Sequence, residues 1–236
     1  MIEYASKNVV VTGGAGALGS AVVECLLETG AHVAVPLAAS ESPDRCSFKT
    51  DDRVSFVEDV DLADEASARS FYERVSVDGL WGSVHIAGGF DMAPLEGVTT
   101  EQYEKLFRMN ALTCLLSCRE AARCMRATGE GGRIVNVAAR AGWYPEEGAN
   151  MSVYAASKAA VVGLTLSLAA ELKGDHIWVN AVAPSIMDTS ANRRAMPDAD
   201  HSQWPSTADV ARTICFLASP ENRSTRAAVV PVYGKS

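Results

Sequence analysis

Residues 8–19 read Asn8-Val9-Val10-Val11-Thr12-Gly13-Gly14-Ala15-Gly16-Ala17-Leu18-Gly19, and this stretch decides the fold. Three successive valines form a β-branched run without polar interruption, the pattern of a strand buried on both faces of a parallel sheet. Residues 20–29 follow with helical spacing of Val22, Val23, Leu26 and Leu27. Between the two, Gly14, Gly16 and Gly19 fit G-x-G-x-x-G. Strand, glycine turn and helix in that order are the parts of a dinucleotide site. Glycine lets the backbone approach a pyrophosphate, and a helix amino terminus offers free N–H groups at the positive end of its dipole. Three glycines alone are a weak signal; their place between a buried strand and an amphipathic helix gives them weight.

Outward from this unit the pattern repeats. Further strands are expected at 30–37, 53–57, 83–86, 132–137, 176–182 and 227–232, with helices at 63–75, 100–128, 151–173 and 207–218. The alternation predicts an α/β chain with a doubly wound parallel sheet (a Rossmann fold) of about seven strands, helices on both faces. At 236 residues it reads as a single domain, 1–236, and the mixed-charge stretch 185–206 with Trp204 is expected to be an irregular substrate loop or lid within it.

Charge narrows the partners. Acidic residues outnumber basic ones, 29 Asp+Glu against 21 Lys+Arg, and no long basic run interleaves with aromatics, which argues against nucleic acid. Residues 1–7 show no charged leader or cleavage-like site, and no apolar run is expected to reach bilayer length, so the expectation is a cytoplasmic protein with no membrane partner. The six cysteines, Cys25, Cys46, Cys114, Cys118, Cys124 and Cys215, contain no C-x-x-C pair. Cys114 and Cys118 share a helical face, yet all six are expected as reduced thiols packed like small hydrophobes, with no metal site.

Chemistry concentrates in Tyr154-Ala155-Ala156-Ser157-Lys158. Within a helix the phenol and the ammonium lie one turn apart on one face and can share a site, although many solvated helices have the same spacing. Asn110 falls in the apolar stripe of the 100–128 helix, where a buried amide requires a partner. His85 is expected to be a hydrogen-bonded strand residue rather than a base. The second strand ends in Leu37-Ala38, where a dinucleotide fold commonly has an acid for the adenosine ribose. Ser40, Arg45 and Lys49 in the following loop are the groups that would reach a 2′-phosphate, so NAD versus NADP stays open.

Taken in order, these pieces resemble the short-chain dehydrogenase/reductase family along nearly the whole chain. The matching residues are 12–19, Asp59-Val60, Ala87-Gly88, Asn110, Gly132-Arg133-Ile134-Val135-Asn136, 154–158 and Asn180-Ala181-Val182-Ala183-Pro184. The resemblance implies an NAD(P)(H)-dependent oxidoreductase that moves hydride to or from a small-molecule carbonyl, imine or alcohol. It implies Tyr154 as general acid/base, Lys158 as holder of the nicotinamide ribose and activator of the phenol, and Asn110 as support for a proton relay. By the same analogy Gly13, Gly14, Ala17, Leu18 and Gly19 line the pyrophosphate, and Leu37 stands at the ribose. Asp59 and Val60 flank the adenine, Ala87 and Gly88 run along the cofactor, and Pro184, Ile186 and Thr189 frame the nicotinamide. The helices at 100–128 and 151–173 are expected to pair across subunits in a homodimer or homotetramer.

Four positions depart from the family pattern: Ala17 for a glycine, Ile86 for an asparagine, Ser185 for a glycine, and Ala139 for the catalytic serine. That serine helps hold a developing oxyanion, and one preorganised donor is worth about 2.7–4 kcal/mol. Three explanations are open. The chain belongs to a serine-lacking branch, with similarity to the quinoid dihydropteridine reductases in Gly16-Ala17-Leu18-Gly19-Ser20; or Tyr144, Asn150 or Ser152 substitutes; or redox activity has given way to a cofactor-binding, non-redox role. Ala139, Trp143, Tyr144 and Trp204, with Phe90, Met92 and Met187, are the expected pocket for a cyclic or aromatic substrate. Arg140, Arg193 and Arg194 are expected to be solvated.

Overall fold

The computed structural model describes residues 2–5 and 7–236. Strands β1 (Asn8–Thr12), β2 (His32–Pro36), β3 (Val54–Val57), β4 (Gly82–His85), β5 (Gly132–Val137), β6 (Ile177–Pro184) and β7 (Val229–Val232) form one seven-stranded sheet in the order β3-β2-β1-β4-β5-β6-β7. Every pairing is parallel. This is the doubly wound Rossmann arrangement that the alternation of apolar runs and amphipathic segments predicts. The valines of β1 show why the run is continuous: Val9 and Val11 enter one core and Val10 the other, so both faces are covered.

One face is closed by α1 (Ala17–Glu28) and α8 (Thr207–Ala218), the other by α2 (Glu65–Val75), α4 (Thr113–Thr128) and α6 (Ser152–Glu171). Strand order reverses between β1 and β4, which opens a crevice at the carboxyl ends of the strands where ligands of such sheets bind.

Four expectations are corrected. The helix after the glycine turn starts at Ala17 rather than at residue 20, so Leu18 and Gly19 lie in its first turn. The 100–128 segment is not one helix: α3 (Thr100–Phe107) passes through a five-residue π turn, Arg108–Leu112, into α4. Asn110 lies inside that turn, a site of the kind where π turns place functional side chains. The 185–206 stretch is not irregular throughout. It holds α7 (Ser190–Ala195), capped by the Thr189 side chain, and is pinned by the Asp188 N–H donating to the Pro205 carbonyl at 2.9 Å. Finally, Ser152–Asp175 is long and apolar enough to cross a bilayer, with a mean hydropathy of 1.5, against the expectation that no run reaches that length. In the fold this segment is the core helix beside β6, with Val161, Val162, Thr165 and Ala169 buried.

Candidate active site

At the end of β1, Thr12 Oγ1 accepts the N–H groups of Ile86 (3.1 Å) and Ala87 (3.2 Å), which fastens the glycine turn to the end of β4. Gly13 adopts φ +67°, and a Cβ there would stand 2.8 Å from the Ala87 nitrogen. A Cβ on Gly19 would fall on the Gly13 carbonyl oxygen. Gly16 is the N-cap of α1 and has no side chain to satisfy the first-turn N–H groups. These glycines therefore shape a cradle that any Cβ would fill, ending at an uncapped twelve-residue helix, which fits an anionic pyrophosphate.

At the end of β2, the residue expected beside a ribose turns inward. Leu37 is fully buried in the core, and its backbone is tied to the neighbouring strand and loop: its N–H donates to the Val57 carbonyl (2.8 Å) and its own carbonyl accepts the Val60 N–H (2.9 Å). Val60 is buried and Asp59 exposed in a left-handed conformation, φ +59°. A residue missed in the sequence stands beyond Leu37: the Glu41 carboxylate accepts the Ala38 N–H at 2.8 Å. Lys49 is paired with Asp44 at 3.3 Å. Glu41 gave no sequence signal because only the folded turn returns it to the end of β2.

Lys158 is buried, and its ammonium donates to the Val137 carbonyl at 2.8 Å, rather than to the phenol one turn away. The short helix α5 (Arg140–Trp143) presses against it, since a Cβ on Gly142 would stand 2.6 Å from the Lys158 Cβ. Asn110 is fully engaged: Oδ1 accepts the Gly89 N–H (2.9 Å), and Nδ2 donates to the Gly89 carbonyl (3.0 Å) and to Ser157 Oγ (3.0 Å). Ser157 Oγ in turn donates to the Tyr154 carbonyl at 2.8 Å. A Cβ on Gly88 would stand 2.5 Å from Asn110 Oδ1 and 3.5 Å from Lys158 Nζ, so Gly88, Asn110 and Lys158 converge on one point. Ser157, inside the Tyr-Lys stretch, gives no signal in the sequence, because only the fold brings Asn110 to its hydroxyl.

Burial sets the electrostatics of this pair. It pushes the Tyr154 phenol up to about 12 and draws the Lys158 ammonium down to about 8. Both changes disfavour the charged form, and the phenol is raised by burial with no contribution from Lys158, the reverse of the lowering that the resemblance implies. The Tyr154 ring meets Phe90 edge-on at 4.9 Å, and Phe90 is exposed at the rim.

Around the pair, Ala139 is buried as the N-cap of α5 and supplies no side-chain acceptor. Trp143 and Tyr144 are half-exposed and pack on each other, centroids 6.3 Å apart, while Trp204 packs instead at a tilt against His201, centroids 4.6 Å apart. Pro184 is buried, Ile186 exposed, and Thr189 is occupied in capping α7. Of the replacements for serine, Ser152 is exposed at the start of α6 and Asn150 turns through φ +59° with its carbonyl on the Ala93 N–H. The expected solvated arginines Arg140 and Arg193 are neutralised by Glu147 and Asp188. His85 is a satisfied strand residue, as expected, bonded to Asn136 and Ser83.

The short chain dehydrogenase family model matches residues 7–200. The chain belongs to the short-chain dehydrogenase family. It is 35% identical to a sorbitol dehydrogenase of Cereibacter sphaeroides over 77% of this chain and 71% of that one. It is 30% identical to the 3-oxoacyl-[acyl-carrier-protein] reductase MabA of Mycobacterium bovis over 98% and 93%. Among solved structures, ElxO with NADP bound superposes with a TM-score of 0.88 at 26% identity, covering 97% of this chain and 98% of that chain. As a short-chain dehydrogenase the protein is an oxidoreductase that uses a nicotinamide cofactor and acts on small molecules. The non-redox alternative is not favoured, because the relatives are named dehydrogenases and reductases.

Proposed function

We propose that this short-chain dehydrogenase reduces a small cyclic or aromatic carbonyl or imine, or oxidises the corresponding alcohol or amine, with Tyr154 as general acid/base and without a catalytic serine. The convergence of Gly88, Asn110 and buried Lys158, one helical turn after Tyr154 on α6, carries the reading. A buried lysine anchored by a carbonyl, and in no salt bridge with a carboxylate among the described residues, costs desolvation that a packing role does not repay. The nicotinamide cofactor supplies or accepts the hydride. Tyr154 donates the proton at the substrate heteroatom in reduction, Lys158 recharges the phenol, and Asn110 holds the Gly89 backbone and Ser157 so that both keep their positions. With Ala139 at the place of the serine, the phenol is the donor left for the substrate heteroatom. That suits a conjugated imine or quinone-like acceptor, which spreads its developing charge.

The cofactor is NAD(H). Glu41 holds its carboxylate at the end of β2, where it accepts ribose hydroxyls and repels a 2′-phosphate, and Lys49 is already neutralised by Asp44. The 185–206 segment closes over the substrate as one folded piece of a single domain 1–236. The deciding experiment follows NADH oxidation over a panel of cyclic imines, quinones, aromatic ketones and ketoses. Turnover of the conjugated ring substrates, lost in Tyr154→Phe, is expected; a protein that binds NADH yet turns over none of them sinks the proposal.

A further inference from the structure

Between α4 and the sheet lies a buried group of polar side chains that the redox site does not use. His85 on β4, Cys114 and Cys118 on α4, and Asn136 on β5 are all at most 5% exposed. One ligating atom each from His85, Cys114 and Cys118 lies within 4.8 Å of the other two. Cys118 Sγ stands 3.4 Å from His85 Nδ1 and 3.4 Å from Asn136 Oδ1, and those last two atoms are 2.8 Å apart.

We propose that His85, Cys114 and Cys118, with Asn136 Oδ1 as the fourth donor, form a buried site for a thiophilic divalent cation of the Zn²⁺ type. Donor chemistry selects the ion: two thiolates, an imidazole and an oxygen suit a tetrahedral d¹⁰ cation. Geometry agrees, because bonds of about 2.3 Å to sulfur and about 2.0–2.1 Å to nitrogen in a tetrahedron put S and N about 3.5 Å apart, close to the 3.4 Å between Cys118 Sγ and His85 Nδ1. Charge agrees as well, since two thiolates and a dication sum to zero in a dry interior.

The outer contacts are those of a ligand set. His85 Nε2 meets Ser83 Oγ at 2.8 Å, and Tyr72 OH stands behind at 2.9 Å from the serine, so when an ion displaces the Nδ1–H bond to Asn136 Oδ1 the ring proton is carried on Nε2 and donated to Ser83. Asn136 Nδ2 donates to Thr165 Oγ1 at 2.9 Å, which turns Oδ1 toward His85 Nδ1 and Cys118 Sγ. Binding releases the two thiol protons while the imidazole stays neutral, its single proton moving from Nδ1 to Nε2, with no oxidation, and ties α4 to β4 and β5 directly behind the π turn that carries Asn110.

The test is Co²⁺ titration of the chelator-treated full chain in a thiol-free reductant. One Co²⁺ per chain is expected, with sulfur-to-cobalt charge-transfer absorbance and tetrahedral d–d bands, displaced by Zn²⁺. Cys114→Ser and Cys118→Ser each lose about half of the charge-transfer band and the double variant all of it, while Cys25→Ser and Cys124→Ser keep it. Zn²⁺ at a hundredfold excess over its Kd raises Tm by roughly 5 °C in the wild type. X-ray absorption on the Zn²⁺-loaded wild type, which needs no variant, finds two sulfur ligands. No sulfur in that shell, or a band that follows Cys25 rather than Cys114 and Cys118, overturns the proposal.

Discussion

At the scale of single residues, the proposed chemistry rests on a phenol and an ammonium that burial disfavours in their charged forms. Tyr154→Phe removes the proton donor and is expected to lower kcat by about 10²–10⁴-fold with NADH affinity retained, as read by steady-state rates and fluorescence titration. Because Lys158 loses its charge near 8, reduction is expected to fall as pH rises through that value, and this inflection disappears from the residual activity of Lys158→Ala. Ala139→Ser separates the substrate classes. A substrate that develops a localised alkoxide gains up to about 10²-fold from the restored donor, whereas the conjugated acceptor proposed here gains less than about threefold. The same change gives α5 a side-chain N-cap, so Tm is expected to rise by about 2–4 °C for each kcal/mol gained. Glu41 belongs at this scale too: Glu41→Ala is expected to erase most of an NADH preference that exceeds tenfold in the wild type, measured as the ratio of kcat/KM for the two cofactors.

At the scale of elements, the glycine turn and the π turn do the positioning. Gly13 has both a left-handed backbone and no room for a Cβ against Ala87, so Gly13→Ala strains the turn by about 1–3 kcal/mol and is expected to weaken cofactor binding about tenfold or more by calorimetry. These glycines were legible from the sequence because their consequence is local: a turn after a buried strand needs backbone freedom wherever it occurs. The π turn was not legible. Residues 100–128 keep an apolar periodicity across it, and what breaks the helix is the tertiary demand that Asn110 reach Gly89 and Ser157 at once. The order of 185–206 was hidden for a similar reason, since its cap at Thr189 and its tie between Asp188 and Pro205 join residues that periodicity does not relate.

At the scale of the whole molecule, Lys158 links the site to stability. Its folded value near 8 lies below the ordinary lysine value near 10.4, so between those pH values the unfolded chain binds more protons than the folded one and stability rises with pH. Relative to Lys158→Met, wild-type stability by urea unfolding is expected to climb by on the order of 1–3 kcal/mol from pH 7.5 to pH 9.5. Assembly is the second property at this scale. Tyr103 on α3, Leu115 on α4 and Leu166 on α6 expose apolar surface, and we propose that these helices pair across subunits in a homodimer or homotetramer. Sedimentation is expected to show an oligomer that Leu115→Glu with Leu166→Glu dissociates.

By itself the sequence determined the alternation of strands and helices, the glycine turn, the Tyr154–Lys158 pair and the absence of serine at Ala139, because each is written in neighbouring residues or in one residue's identity. Only the tertiary structure decided which groups meet. It returned Glu41 to the end of β2, sealed Leu37 in the core, brought Ser157 and Gly89 to Asn110, and gathered His85 to Cys114 and Cys118 across 33 positions between His85 and Cys118. The physical reason is that strand register and helix docking, rather than sequence spacing, fix the distances over which hydrogen bonds and burial act.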